Sequence, residues 1–136
     1  MPDKVFIDTN ILIYAYSETE PEKKDRILTI LETNHIVIST QVINEFIWVM
    51  NKKHDIDLQL LKVLSDKFWQ IFDVALLNKS SIDRAIDIAT QYKFSYWDSL
   101  IISSALEKQC GILYTEDLQH KIVIDEKINI INPFEL

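Results

Sequence analysis

Residues 5–16 read Val5-Phe6-Ile7-Asp8-Thr9-Asn10-Ile11-Leu12-Ile13-Tyr14-Ala15-Tyr16. Three apolar residues without polar alternation predict a short strand covered on both faces, as in a parallel sheet. The strand runs into Asp8, and Asp8 or Thr9 is a suitable N-cap for the helix predicted from Ile11 to Tyr16. A buried strand that passes through an acid straight into a helix is the opening unit of an α/β domain.

The rest of the chain repeats that unit. Ile36-Val37-Ile38, Ile112-Leu113-Tyr114 and Ile128-Asn129-Ile130-Ile131 predict three more strands. Pro21 suits the first turn of a helix striped by Ile27, Leu28 and Leu31. Ser39 or Thr40 caps a helix reaching about Lys53. Leu58 to Leu77 predicts a long helical stretch with a break near Phe72-Asp73. Ser80 or Ser81 opens a helix whose buried face is read as Ile82, Ala85, Ile86 and Ala89. Ser95, with Asp98 three residues on, resembles a capping box before the run Leu100 to Leu106, and the only glycine, Gly111, ends that helix. Strand and helix alternate at both ends around a helical insert. The expectation is one α/β domain over residues 1–136, a small parallel sheet with helices on both faces.

Composition narrows the function. Hydrophobic residues make up 48% and charged residues 26%, an ordinary globular balance. No apolar run approaches the roughly 18–20 residues that span a membrane. Met1-Pro2-Asp3-Lys4 leads straight into a strand rather than a secretory signal, so the expected location is cytoplasmic. Cys110 stands alone, which excludes an internal disulfide. The net charge of −7 argues against a generic, charge-driven nucleic-acid binder. A cluster of cation-binding carboxylates contributes to such a charge.

Open parallel sheets bind ligands at the carboxyl ends of their strands. Asp8 follows the first predicted strand, and Asp117 follows the third, after Thr115 and Glu116. Asp98 shares a helix face with Ile101, Ile102 and Ala105, where a carboxylate is costly unless it is paired or meets a cation. Asp83 and Asp87 lie off their helix's stripe and read as solvated. Glu45 lies in Val42-Ile43-Asn44-Glu45-Phe46-Ile47-Trp48-Val49, a helix apolar almost all round, with little room for a surface charge. Singly, Asp8 reads equally well as a helix cap and Asp117 as a turn residue. Asp98 has its capping role as an alternative, and Glu45 an exposed helix edge beside Gln41 and Lys52. Together the four carboxylates match the oxygen donors that Mg²⁺ and Mn²⁺ prefer. His35, His54 and His120 are scattered, which disfavours zinc. One glycine cannot build a phosphate-cradling loop, and no nucleophile–histidine–carboxylate triad emerges. An acid cluster without a covalent nucleophile points to water activated by a cation.

These residues resemble a known family. FIDTNILIYAY, STQVINEF, FSYWDSLIISSAL and ILYTEDLQH, in that order, are similar to the four motifs of PIN-domain nucleases, and in particular of VapC-type toxins of toxin–antitoxin pairs. INIINPF is similar to the family's last strand and tail. The resemblance covers nearly the whole chain. It implies a PIN-like three-layer fold with a parallel sheet of four or five strands. It implies an endoribonuclease using one or two Mg²⁺ or Mn²⁺ ions, acting on RNA such as tRNA or rRNA. A homodimer and a cognate antitoxin are implied as well. The expected ligands are Asp8, Glu45, Asp98 and Asp117, with Asp8 and Asp98 innermost. Thr9, Asn10 and Thr115 would orient the carboxylates, and Glu116 would be an outer ligand or solvated.

Substrate contacts are less legible. Tyr96 and Trp97, next to Asp98, are both placed to stack an unpaired base; core packing is at least as good a reading of Trp97, and Tyr96 is the better stacking candidate. Lys23, Lys24 and Arg26, or Lys52, Lys53 and His54, either meet phosphate or form solvated helix faces. Leu12, Tyr14, Tyr16, Phe46, Ile47, Trp48 and Met50 either pack on one another or leave a groove for an antitoxin helix. An aspartate-nucleophile phosphatase would need a second Asp where Asn10 stands, and a receiver domain would need an early acidic pair. The remaining rival is a catalytically silent PIN-like module that binds RNA or protein.

Overall fold

The computed structural model describes residues 3–135. β1 (Lys4–Ile7) is buried along Val5, Phe6 and Ile7, as an interior parallel strand must be. Asp8 caps α1 (Thr9–Tyr16), its carboxylate accepting from the Thr9 N–H. Pro21 opens α2 (Pro21–Thr33), which leads to β2 (His35–Ser39). The Ser39 hydroxyl accepts from the Val42 N–H at the start of α3 (Thr40–His54). α4 (Leu58–Ile71) and β3 (Asp73–Ala75) follow, then α5 (Lys79–Tyr92) and α6 (Tyr96–Glu107). β4 (Ile112–Tyr114), β5 (Val123–Ile124) and β6 (Ile128–Ile131) complete the described chain.

The strands form one sheet in the order β3-β2-β1-β4-β6-β5. The first five are parallel, and β5 pairs antiparallel to β6. The chain winds outward from β1 to β2 to β3, then returns across the sheet to β4 beside β1. Right-handed crossovers therefore put α1 to α4 on one face and α5–α6 on the other. The reversal leaves a crevice above the carboxyl ends of β1 and β4, the switch point of a doubly wound sheet.

The core is continuous across both layers, with Phe6, Phe46, Phe68, Leu12 and Ile102 fully buried. Tyr16, Phe46, Phe68 and Phe72 meet as an aromatic cluster at centroid distances of 5.0–5.7 Å. Leu12, Phe46 and Met50 are core residues, so the packing reading of that apolar material holds for them. Trp48, 59% exposed, is the exception. No helix among the described residues is long and apolar enough to cross a membrane.

The structure corrects several sequence expectations. Residues 72–77 are not helical: α4 ends at Ile71, and Asp73–Ala75 is an edge strand. β5 adds a two-residue antiparallel strand. Asn78, rather than a serine, caps α5 in a capping box with Ser81. The buried face of α5 is Ser81, Ala85 and Ile88, while Ile82 and Ile86 are exposed. The cause is close packing on α6, where the Ser103 hydroxyl donates to the Ser81 carbonyl at 2.8 Å, so small residues occupy the seam. Gly111 has no left-handed φ; that conformation falls to Gln109, φ 60°, after α6 has ended.

Candidate metal centre

Asp8, Thr9, Asn10, Gln41, Glu45, Val49, Trp97, Asp98, Ile101 and Asp117 line one small cavity of about 110 Å³. It lies in the crevice above β1 and β4. Each acid arrives by a different route. Asp8 ends β1, and Asp117 follows β4. Glu45 projects from the second turn of α3, and Asp98 from the first turn of α6. The two helices belong to opposite layers, so the carboxylates meet over the rim of the sheet.

Asp8 is the fixed point. The residue is 8% exposed. Oδ1 accepts from the Thr9 N–H at 2.7 Å, and Oδ2 accepts from the Thr115 hydroxyl at 2.8 Å. The same Thr115 oxygen accepts from the Asp117 N–H at 3.1 Å. The Thr9 hydroxyl donates to Glu45 Oε1 at 3.0 Å. Two threonines thus hold the Asp8 and Glu45 carboxylates, and Thr115 also anchors the backbone of Asp117. Ser95 accepts from the Asp98 N–H at 3.1 Å, so the hydroxyl caps α6. No reciprocal bond from the Asp98 carboxyl appears among the described residues, which leaves that group to the cavity.

The electrostatics match a site short of positive charge. Burial pushes the Asp8 carboxyl up to about 7, and charges on Asp117 and Glu45 push the same way against the Thr115 and Thr9 hydrogen bonds. Partial withdrawal from water, then charges on Asp98 and Glu116, raise Asp117 although it sits exposed at the rim. Among the described residues no Lys, Arg or His nitrogen forms an ion pair with any of the four. Among the described residues no three His, Cys, Asp or Glu side chains already stand close enough together to enclose a metal ion, so the four carboxylates line the cavity as an open set. An all-oxygen, open set of this kind fits a hard cation that keeps part of its water shell.

Some expectations shift. Glu45 is exposed, because α3 turns Asn44, Glu45 and Trp48 outward. Its contact with Thr9, rather than burial, ties it to the site. Glu116 does not line the cavity. It accepts from the Tyr14 hydroxyl at 2.6 Å and pairs with Lys23 at 3.1 Å. Lys24 pairs with Glu18, and Arg26 donates to the Pro133 carbonyl at 3.1 Å, so the first basic cluster is engaged within the chain. Lys52, Lys53 and His54 stand exposed in the last turn of α3. Of the two aromatics beside Asp98, Trp97 is 64% exposed at the cavity, whereas Tyr96 is half-buried and outside it. Gln41 is a lining residue that the acid pattern does not single out. Its signal is position, one turn before Glu45 on the same helix face.

Fold and cavity define a doubly wound α/β domain with a carboxylate cleft at its switch point. The chain belongs to the PIN domain family, whose model matches residues 5–124. A toxin–antitoxin complex from Klebsiella pneumoniae contains a similar chain, with a TM-score of 0.73 and 20% identity over 97% of this chain and 99% of that one. VapC20 of Mycobacterium tuberculosis, a toxin described as cleaving the sarcin–ricin loop, has a TM-score of 0.69 and 12% identity over 83% of this chain and 89% of its own. VapBC2 from Rickettsia felis, bound to a promoter DNA fragment, has a TM-score of 0.67 and 17% identity, covering 93% and 96%. These likenesses establish the shared fold. Comparison with curated proteins gives no match.

Proposed function

We propose that this chain is an endoribonuclease dependent on Mg²⁺ or Mn²⁺ and the toxin of a toxin–antitoxin pair. The observation that carries the reading is the convergence of Asp8, Glu45, Asp98 and Asp117 on one cavity without a protein cation among them. Asp8 and Asp98 would hold one or two ions directly, with Glu45 and Asp117 acting in part through water. The ion, when bound, acidifies a water and offsets charge on the leaving oxygen of a phosphodiester. Thr9 and Thr115 hold the carboxylates in fixed orientations, and Asn10 lines the same wall. Water is the natural nucleophile, since burial pushes the lone Cys110 thiol up to about 12.

The toxin part of the reading is supported by family membership and by the toxin–antitoxin complexes whose chains share this fold. It brings with it a cytoplasmic RNA substrate such as tRNA or rRNA, a cognate antitoxin and a homodimer. The test is a map of the products from total RNA incubated with the chain and Mg²⁺ or Mn²⁺, with and without a chelator. Defined fragments that need the cation support the reading. RNA retained without cutting would instead mark a silent PIN-like binding module.

A further inference from the structure

Gln41 is 6% exposed on the second residue of α3 and lines the carboxylate cavity. Its Nε2 donates to the Trp97 carbonyl at 3.3 Å. A carbonyl can only accept, which fixes the amide's nitrogen on that side and its oxygen on the other. That oxygen, Oε1, is buried and has no hydrogen-bond partner among the described residues. A buried acceptor left unpaired is costly and calls for a donor.

The placement is specific. Gln41 precedes Glu45 by one helical turn, and its bond reaches the residue next to Asp98. The amide therefore spans the rim of the sheet between the two helices that bring acids from opposite layers. Once ionised, as ligands of a cation must be, the four carboxylates supply acceptors only and cannot satisfy Oε1. A water in the shell of a hydrated cation can.

We propose that Gln41 is a positioning residue of the metal site. Its nitrogen holds the first turn of α6, and so Asp98, in register with Glu45. Its oxygen accepts a hydrogen bond from water that hydrates the cation. This inference rests on the reading of the cavity as a cation site.

The test compares wild type with Gln41→Met, which keeps the length and removes both polar atoms, by calorimetric titration with Mn²⁺ and by thermal unfolding of the metal-free chain. Mn²⁺ affinity is expected to fall about tenfold while the metal-free Tm stays level or rises. A lower metal-free Tm with unchanged Mn²⁺ affinity would mark a structural amide and overturn the inference. Wild type and Gln41→Met binding Mn²⁺ equally overturns it alone, whereas a wild type that binds no Mn²⁺ overturns the metal site as well. If Gln41→Met does not fold, the side-chain amide resonance of Gln41 in the wild-type chain decides. Mg²⁺ is expected to shift it, and an unmoved resonance overturns the proposal.

Discussion

The Thr115 hydroxyl donates to Asp8 Oδ2 at 2.8 Å, joining residues 107 positions apart. The same oxygen accepts the Asp117 N–H, so one side chain ties the acid after β1 to the acid after β4. Thr115→Val keeps the shape and removes the tie. It is expected to lower kcat/KM for RNA by 10- to 100-fold, on the order of other groups that orient metal ligands. It should destabilise the chain by about 1–3 kcal/mol. Thr115→Ser should recover most of both. A valine variant with wild-type cleavage would show the bond to be idle.

Glu116 and Asp117 are adjacent but serve different neighbours. Glu116 is held by Tyr14 and Lys23, and Lys23 sits 4.8 Å from the centroids of the Tyr14 and Phe134 rings. Glu116→Gln is expected to cleave RNA within a few-fold of wild type, with a stability change of about 1 kcal/mol or less. Asp117→Asn should lose most of the activity. Equal losses from the two substitutions would contradict the division.

Metal-free stability should depend on pH through Asp8. An unfolded aspartate titrates near 4. The folded carboxyl titrates at about 7, so between these values the native chain holds a proton that the unfolded chain has released. Stability from this group is full below about 4 and is lost as pH rises to about 7, by on the order of 4 kcal/mol at most. In chelator, the Tm of wild type relative to Asp8→Asn should therefore fall from pH 5 to pH 8. Mg²⁺ or Mn²⁺ should raise the wild-type Tm more at pH 8 than at pH 5. A relative Tm that climbs with pH in chelator would refute the assignment.

Trp97 exposes its indole at the mouth of the cavity, with its ring edge-on to Tyr96 at 5.4 Å. Trp97→Ala is expected to weaken RNA binding by about 1–3 kcal/mol, the range of a lost base stack. Trp97→Phe should keep most of the affinity, and Tyr96→Phe nearly all of it. Quenching of indole fluorescence by an RNA oligonucleotide provides the readout. Unchanged affinity in Trp97→Ala would remove the stacking role.

The sequence was most legible where burial was complete. Val5-Phe6-Ile7 and Ile36-Val37-Ile38 are interior strands with no solvent face to blur the pattern. Asp73–Ala75 was lost because it is three residues long, lies at the edge and follows a helix without an intervening turn signal. The face of α5 was misread because periodicity favoured the bulky Ile82 and Ile86, whereas the seam with α6 admits Ser81 and Ala85. At the cavity, Asp8 and Asp117 followed from strand ends and Asp98 from its stripe. Glu45 was legible chiefly through the family resemblance, because its tie to the cavity is a hydrogen bond from Thr9 rather than the burial its apolar helix suggested. Gln41 and Trp97 depend on how two distant helices meet over the sheet, a relationship fixed only by the tertiary packing.

The central claim is that the carboxylates form one cation-dependent cutting site. The most direct measurement is the rate of cleavage of a defined RNA by wild type, Asp8→Asn and Asp98→Asn, each titrated with Mg²⁺ or Mn²⁺ against a chelator. The account predicts cleavage by wild type that appears with the cation and disappears with chelator, and losses of at least 100-fold in both variants across the titration. Cleavage that persists in chelator, or variants that cut at the wild-type rate, would contradict it.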